Sequence, residues 1–310
     1  ASRTETTYGE EAPFAYTYSG IVKPDGTAGE WSDIAVTGTP VYKIKPITDS
    51  VEEENGWVTY SKGVTSVGSY RIQIDVNGMS TQDYTFQWED DNNSVLVVNK
   101  RPVSLVGNTD RDDVGAITKT YDGTKDVKTE PVKGTHYSFG KVIGDGGGEV
   151  AASGVLDADA ASLDLSSKTY HYNTKDVSAQ YVVLSGAVIN NNNYVLKNTE
   201  CNIKGQINPK DLTVTAVSKE VTYGTTDPEY SVTYNGLVTV GDVTETAGDV
   251  LTGSVSYDGS GYEPIATLAN RHVGTYTIVP GGLGDANSVN GNYKIHYVNG
   301  TLTVNPKEVN

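Results

Sequence analysis

The sequence predicts an all-β protein made of three tandem domains. Three observations carry that prediction: the residues in use, a repeat of domain-sized period, and alternation at strand spacing. The 310 residues include 34 glycines and 21 tyrosines but 3 phenylalanines, 3 tryptophans and 1 methionine. Tyrosine, valine, threonine and glycine are the residues of strands and turns. Three short features recur in one order, and their Tyr-Gly starts lie about 100 residues apart, the size of a domain.

The first feature is Tyr-Gly after a β-branched run. It stands at Thr6-Thr7-Tyr8-Gly9 and Val221-Thr222-Tyr223-Gly224, with a middle version at Thr120-Tyr121-Asp122-Gly123. Tyr8, Tyr121 and Tyr223 are expected to pack their rings on their domain cores. Gly9, Gly224 and, one residue later than the pattern, Gly123 are expected to make a bend that a β-carbon would strain. The second feature is Gly-x-Tyr leading an alternating run, as VGSYRIQI (67–74) and VGTYTIVP (273–280), with a looser AQYVVLSG (179–186) between them. The third is a polar residue before tyrosine, then a turn, then a strand ending at asparagine. It begins at Gln82-Asp83-Tyr84, Asn193-Tyr194 and Asn292-Tyr293.

Within this frame each piece reads as strand. Residues 213–223 alternate apolar and polar side chains, as a half-buried strand requires. Asn299-Gly300 between two alternating runs predicts a hairpin, and Asn77-Gly78 and Asn235-Gly236 predict tight turns. Trp88 alternates with Tyr84 and Phe86 and reads as core. The helix-like piece, residues 156–167, is short and has no wide apolar face, so one or two turns are expected there. Boundaries fall at Asn99-Lys100-Arg101-Pro102 and Asn208-Pro209-Lys210, and Asn305-Pro306-Lys307 repeats the same pattern. They divide the chain into 1–101, 102–209 and 210–310. Such short proline linkers predict a semi-rigid, elongated array of Ig-like β-sandwiches. β-Grasp-like domains with one short helix are the alternative.

Charge narrows the partners. With 23 basic and 39 acidic side chains the net charge is −16, which argues against nucleic acid and against an anionic membrane surface. Residues 1–104 hold 8 basic and 15 acidic groups, residues 105–210 hold 11 and 13, and residues 211–310 hold 4 and 11, so the outer parts match. No run reaches 18 apolar residues, so no membrane-inserted helix is expected, and the chain is expected to be monomeric. It starts without methionine and without a signal-like segment, which points to a fragment or processed form. The single Cys201 leaves each domain to stand on its core, a habit of bacterial surface proteins.

Catalytic patterns are missing. His136, His171, His272 and His296 are scattered, Cys201 has no nearby histidine, and no Gly-x-Ser-x-Gly elbow occurs. Gly144-Asp145-Gly146-Gly147-Gly148 lacks the lysine and helix of a phosphate loop and reads as a hairpin tip. No catalytic or metal-ligating residue is assigned and no cofactor is expected. Carboxylates Glu89-Asp90-Asp91 and Asp110, Asp112 and Asp113 could hold calcium, yet Val114 stands where a ligand should be, and solvated acid is the favoured reading. Glu52-Glu53-Glu54 reads as a solvated loop. A lysine–asparagine or lysine–aspartate isopeptide crosslink would suit a surface rod, but sequence cannot place one. All three tryptophans lie in the first part. Trp31 follows the Gly/Asp-rich stretch 24–30 and Trp57 follows a charged turn. These two are the candidate ligand-binding residues, because exposed tryptophans concentrate binding energy and stack on sugars.

The outer parts resemble the bacterial extracellular MBG-type repeat of the Tyr-Gly-X kind. Tyr223-Gly224, Asp227-Pro228, Tyr234-Asn235-Gly236-Leu237, Val273-Gly274-Thr275-Tyr276, Asn292-Tyr293 and Gly300-Thr301-Leu302-Thr303-Val304 carry the resemblance. The first part departs from it, with Ala12 at the aspartate position and Gln82-Asp83-Tyr84 for Asn-Tyr. The middle part resembles the related YDG repeat through Lys119-Thr120-Tyr121-Asp122-Gly123-Thr124 and Asn193-Tyr194. The resemblance implies a non-enzymatic stalk or adhesin on the bacterial cell surface and supplies no catalytic residues. Its partner would be a host glycoprotein, an immunoglobulin or a glycan. The alternative function is a specific receptor for a host protein such as immunoglobulin or mucin.

Overall fold

The structure, a computed structural model, describes residues 3–47, 56–89, 94–109, 115–259, 271–283 and 291–310. Strand accounts for 44% of the chain and helix for 3%, so the protein is all-β. In chain order the first strands are β1 (Arg3–Thr7), β2 (Val41–Pro46), β3 (Val58–Thr59), β4 (Gly68–Asp75) and β5 (Val95–Asn99). They form one sheet in the order β1-β5-β4-β2-β3. Next come β6 (Arg101–Gly107), β7 (Ile117–Thr120), β8 (Tyr137–Gly140), β9 (Leu165–Tyr172), β10 (Tyr181–Ile189), β11 (Tyr194–Leu196) and β12 (Cys201–Asn208). These make two sheets, β7-β12-β10-β9 and β11-β6-β8.

The last part contains β13 (Lys210–Ala216), β14 (Lys219–Thr222), β15 (Val232–Asn235), β16 (Thr239–Val240), β17 (Val243–Thr244), α1 (Ala247–Val250), β18 (Ser256–Gly259), β19 (Gly274–Gly281), β20 (Tyr293–Val298) and β21 (Gly300–Asn305). Its sheets are β15-β13-β20, β14-β21-β19-β18 and the small ribbon β16-β17.

One arrangement occurs three times. The Tyr-Gly strand (β1, β7 or β14) is an edge strand that runs parallel to the strand ending at asparagine (β5, β12 or β21). That strand is in turn antiparallel to the Gly-x-Tyr strand (β4, β10 or β19). The registers agree to the residue: Thr7 opposite Asn99, Thr120 opposite Asn208, Thr222 opposite Asn305. The N–H of the following tyrosine then donates to that asparagine's carbonyl, at 2.9 Å for Tyr8, 2.8 Å for Tyr121 and 2.8 Å for Tyr223. Parallel pairing of the Tyr-Gly strand with the asparagine-ended strand makes these sheets mixed rather than purely antiparallel.

By contact the chain forms two compact units. One contains residues 1–106, 139–168 and 186–199, and the other contains residues 107–138, 169–185 and 200–310. Residues 102–209 are shared between them. The first unit's core joins Tyr8, Ile44, Leu96, Val98, Leu163 and Tyr194. In the second, Ala216, Ile278, Leu302 and Val304 cluster beneath Tyr230 and Tyr257.

Two local expectations are corrected. Asn299-Gly300 makes no hairpin: β20 pairs parallel with β13, and β21 pairs parallel with β14 in another sheet. The chain changes sheets at Asn299 while β13 and β14 change beside it. Gly300 is needed for contact here, because a Cβ would stand 2.6 Å from the Ala216 carbonyl oxygen. Residues 157–162 form successive turns rather than helix, closed by Leu163 N–H to Asp159 O at 2.9 Å. The α-helix among the described residues is the four-residue α1, elsewhere in the chain.

Candidate ligand-binding face

Trp31 is presented by two consecutive local devices. Val22 bridges Ala28 across a tight loop, in which Asp25 Oδ1 accepts from the Thr27 N–H at 2.9 Å and from its hydroxyl at 2.6 Å. A single 3₁₀ turn, Trp31–Asp33, follows. Its capping is reciprocal: the Asp33 carboxylate accepts from the Glu30 N–H at 2.8 Å, and the Asp33 N–H donates to the Glu30 carbonyl at 2.9 Å. Residues 79–88 lie alongside this segment. Thr37 and Ser80 exchange backbone hydrogen bonds of 2.9 Å, and the Tyr84 hydroxyl accepts from the Val22 N–H at 3.3 Å.

The result is a cluster of rings. Trp31 lies 5.1 Å from Tyr18, 5.7 Å from Phe86 and 6.0 Å from Tyr16, centroid to centroid. Tyr16 and Tyr18 are 41% and 45% exposed, so the cluster is a surface and not a core. Phe86 also lines a cleft of about 420 Å³ with Lys43, Gln73, Asp75, Gln87 and Trp88. An ion pair of 2.6 Å joins Lys43 and Asp75 at its rim, and the Lys43 hydrogen bond holds the Asp75 carboxyl below its ordinary pKa. Trp88 is therefore a cleft wall rather than core, and its Nε1 has no partner among the described residues. It alternates with Phe86 as a strand would, yet residues 84–88 join no sheet and both rings are only half-buried. Trp57 immediately precedes edge strand β3, half-buried, and is not among the rings around Trp31. Sequence reading missed Tyr16, Tyr18 and Phe86. The spacing Tyr16-x-Tyr18 was the available signal, since alternate residues of an extended chain face one way.

The Tyr-Gly motif is structural in two of its copies. Tyr8 and Tyr121 are 5% and 2% exposed, while Tyr223 is 46% exposed, which overturns the expected packing of its ring. Gly9, Gly123 and Gly224 take φ of +87°, +73° and +81°, the left-handed region. Tyr8 meets Tyr194 edge-on at 5.6 Å, and the Tyr194 hydroxyl donates to Asp159 at 2.6 Å. Tyr121 meets Tyr293 edge-on at 5.5 Å, and both hydroxyls donate to Glu245, Tyr121 at 2.6 Å. Burial first, then the neighbouring carboxylate, raises the pKa of all four phenols above the usual 10.0.

Other chemistry-bearing groups do not converge. Burial, then Glu200, pushes the Cys201 thiol up to about 11, which keeps it protonated and inert. His136 Nδ1 accepts from the Val132 N–H at 2.9 Å, and burial lowers its pKa. His296 faces Asp211 at 2.9 Å. The Lys119 ammonium is spent on Asp122 at 2.6 Å and on the Thr124 carbonyl and hydroxyl. Gly144 to Gly148 close a hairpin tip. Among the described residues no three His, Cys, Asp or Glu side chains gather as metal ligands. Asp90, Asp91, Asp110, Asp112, Asp113 and Glu52-Glu53-Glu54 lie outside the described residues. No described helix is long and apolar enough to cross a membrane.

Residues 212–303 match the MBG domain of the YGX type. The match runs from β13 into β21, so it takes in Tyr223-Gly224, Asn292-Tyr293 and the parallel pair β14 and β21. That family is not known for enzymes, and its presence points to a repeat region of a surface protein. No curated protein matches the chain. Among solved structures the chain is similar to Drosophila N-cadherin EC1-3, at 10% identity over 98% of each chain. The TM-score is 0.19, too low for that likeness to carry an argument.

Proposed function

We propose that the chain is a non-enzymatic repeat region of a bacterial cell-surface adhesin, and that residues 1–101 present a glycan-binding face. Residues 1–101 and 102–209 are read as repeats of the same kind as the matched segment, because all three share one strand order and one Thr–Asn register. The observation that carries the binding role is the exposed ring cluster of Tyr16, Tyr18 and Trp31, continuous through Phe86 with a cleft holding amides and an ion pair. Flat aromatic faces take the C–H surface of a sugar ring, and amides and carboxylates take its hydroxyls. An extracellular location follows from this reading.

The test uses the whole chain on a glycan array, with intact and deglycosylated mucin and immunoglobulin beside it. Every tryptophan lies between Trp31 and Trp88, so intrinsic fluorescence reports occupancy of this face. A glycan ligand should change that fluorescence. Trp31→Ala should weaken its binding by about thirtyfold, the loss of about 2 kcal/mol expected of an interface centre. Full binding by folded Trp31→Ala, or equal binding to deglycosylated protein, would count against the glycan face.

A further inference from the structure

We infer that the Tyr223-Gly224 end of the last repeat is a docking face for a further repeat unit that bears an Asn-Tyr pair and a nearby carboxylate. The protein contains two junctions of one design. In one, the tyrosine of the first Tyr-Gly packs edge-on against Tyr194, whose hydroxyl is held by Asp159. Asn193 Oδ1 accepts from the Val67 N–H at 2.9 Å, and its carbonyl accepts from the Arg101 N–H at 2.9 Å. In the other, Tyr121 packs edge-on against Tyr293, whose hydroxyl is held by Glu245. Asn292 Oδ1 accepts from the Val177 N–H at 2.9 Å, and its carbonyl accepts from the Lys210 N–H at 3.0 Å.

The third Tyr-Gly has every part of its own side of this joint. Thr222 keeps the register with Asn305, the Tyr223 N–H keeps its bond to the Asn305 carbonyl, and Gly224 keeps a positive φ. What differs is cover. A Cβ on Gly9 would meet Leu156 at 2.6 Å and one on Gly123 would meet Val240 at 2.9 Å, but one on Gly224 meets nothing within 4 Å among the described residues. Val273 precedes its Gly-x-Tyr run as Val67 does, and is 52% exposed. Lys307 follows Asn305-Pro306 as Lys210 follows Asn208-Pro209.

The occupant is thereby specified. Its tyrosine covers the Tyr223 ring and Gly224, its asparagine takes the Val273 and Lys307 N–H groups, and its carboxylate takes the Tyr223 hydroxyl. A second copy of this chain fits poorly, because Gln82-Asp83-Tyr84 replaces Asn-Tyr in the first repeat and Tyr84 turns its hydroxyl to Val22.

The test extends the full chain after Asn305, in one form with a second copy of residues 209–310 and in another with a second copy of residues 100–209. Tyrosine nitration, read by mass spectrometry, should fall about tenfold at Tyr223 in an extended chain relative to the original one. Asn292→Ala with Tyr293→Ala, made only in the appended copy of 209–310, should restore it. Unchanged nitration of Tyr223 in both extended chains would overturn the proposal. So would sedimentation of the original chain as a dimer that Tyr223→Ala abolishes, since the occupant would then be a second copy.

Discussion

Tyr293 combines a buried ring with a satisfied hydroxyl, and the two contributions separate by substitution. Its hydroxyl donates to Glu245 and accepts from the Val238 N–H at 2.8 Å. Tyr293→Phe keeps the ring but leaves that N–H and the carboxylate without it. The expected loss is about 1–3 kcal/mol, measured by urea unfolding. Tyr121→Ala removes a ring that is 2% exposed and should cost about 3–5 kcal/mol. Tyr223→Ala, at the equivalent but open position, should stay within about 1 kcal/mol. Equal losses for the two alanine variants would contradict the different cover of their rings. No pattern within the sequence separates these tyrosines, since each follows a threonine and precedes a turn. Burial of each depends on what the neighbouring repeat places upon it.

At the scale of elements, the ring cluster depends on how the segment carrying Trp31 is joined to residues 79–88. Gly38 sits at that joint with φ of +85°, and a Cβ there would lie 2.0 Å from the Gly78 carbonyl oxygen. Gly38→Ala should cost at least about 1–3 kcal/mol in urea unfolding and should weaken whatever ligand the face takes. A variant of unchanged stability would show that the two segments are not held together there. The strands themselves were readable from alternation, and the Tyr-Gly, Gly-x-Tyr and terminal-asparagine features fell on corresponding strands of all three sheets. The sheet change at Asn299 was not readable. Asn-Gly is a local preference for a hairpin, and it yields here to the long parallel ladder of β20 on β13. Trp88 misled for a related reason: alternation tells which side chains share a face, not how deeply that face is buried.

For the whole molecule, titration of the buried phenols links stability to pH. Tyr8 and Tyr194 lie in one compact unit, Tyr121 and Tyr293 in the other, and all four are raised by burial and then by a carboxylate. A phenol whose folded pKa exceeds its unfolded value contributes stability that is fully present below about pH 10 and is lost as pH rises further. The melting temperature should therefore hold through neutral pH and fall above about pH 10. A flat profile from about pH 9 to 11.5 would contradict the burial of these rings. The acidic balance of −16 was legible from composition, but the two shared carboxylates, Asp159 and Glu245, were not. They sit in a turn and in a connecting loop among many other acids, and only the fold brings them to tyrosines far along the chain.

The parallel pairing of Tyr-Gly and asparagine-ended strands has a mechanical consequence. Tension pulls the asparagine-ended strand at its finish and reaches the Tyr-Gly strand at its start, directly for β1 and through β6 or β13 for β7 and β14. In a parallel pair those two points lie at opposite ends of the ladder, so the load runs along the strands. The hydrogen bonds of β14 and β21 must then fail together, as must those of β1 and β5 and of β7 and β12. An antiparallel terminal pair would peel one bond at a time. Pulled by its ends in a single-molecule instrument, the chain should resist abruptly and yield in discrete steps. Proline placed at Val221, inside the β14 ladder, should lower the force of one step and leave the others.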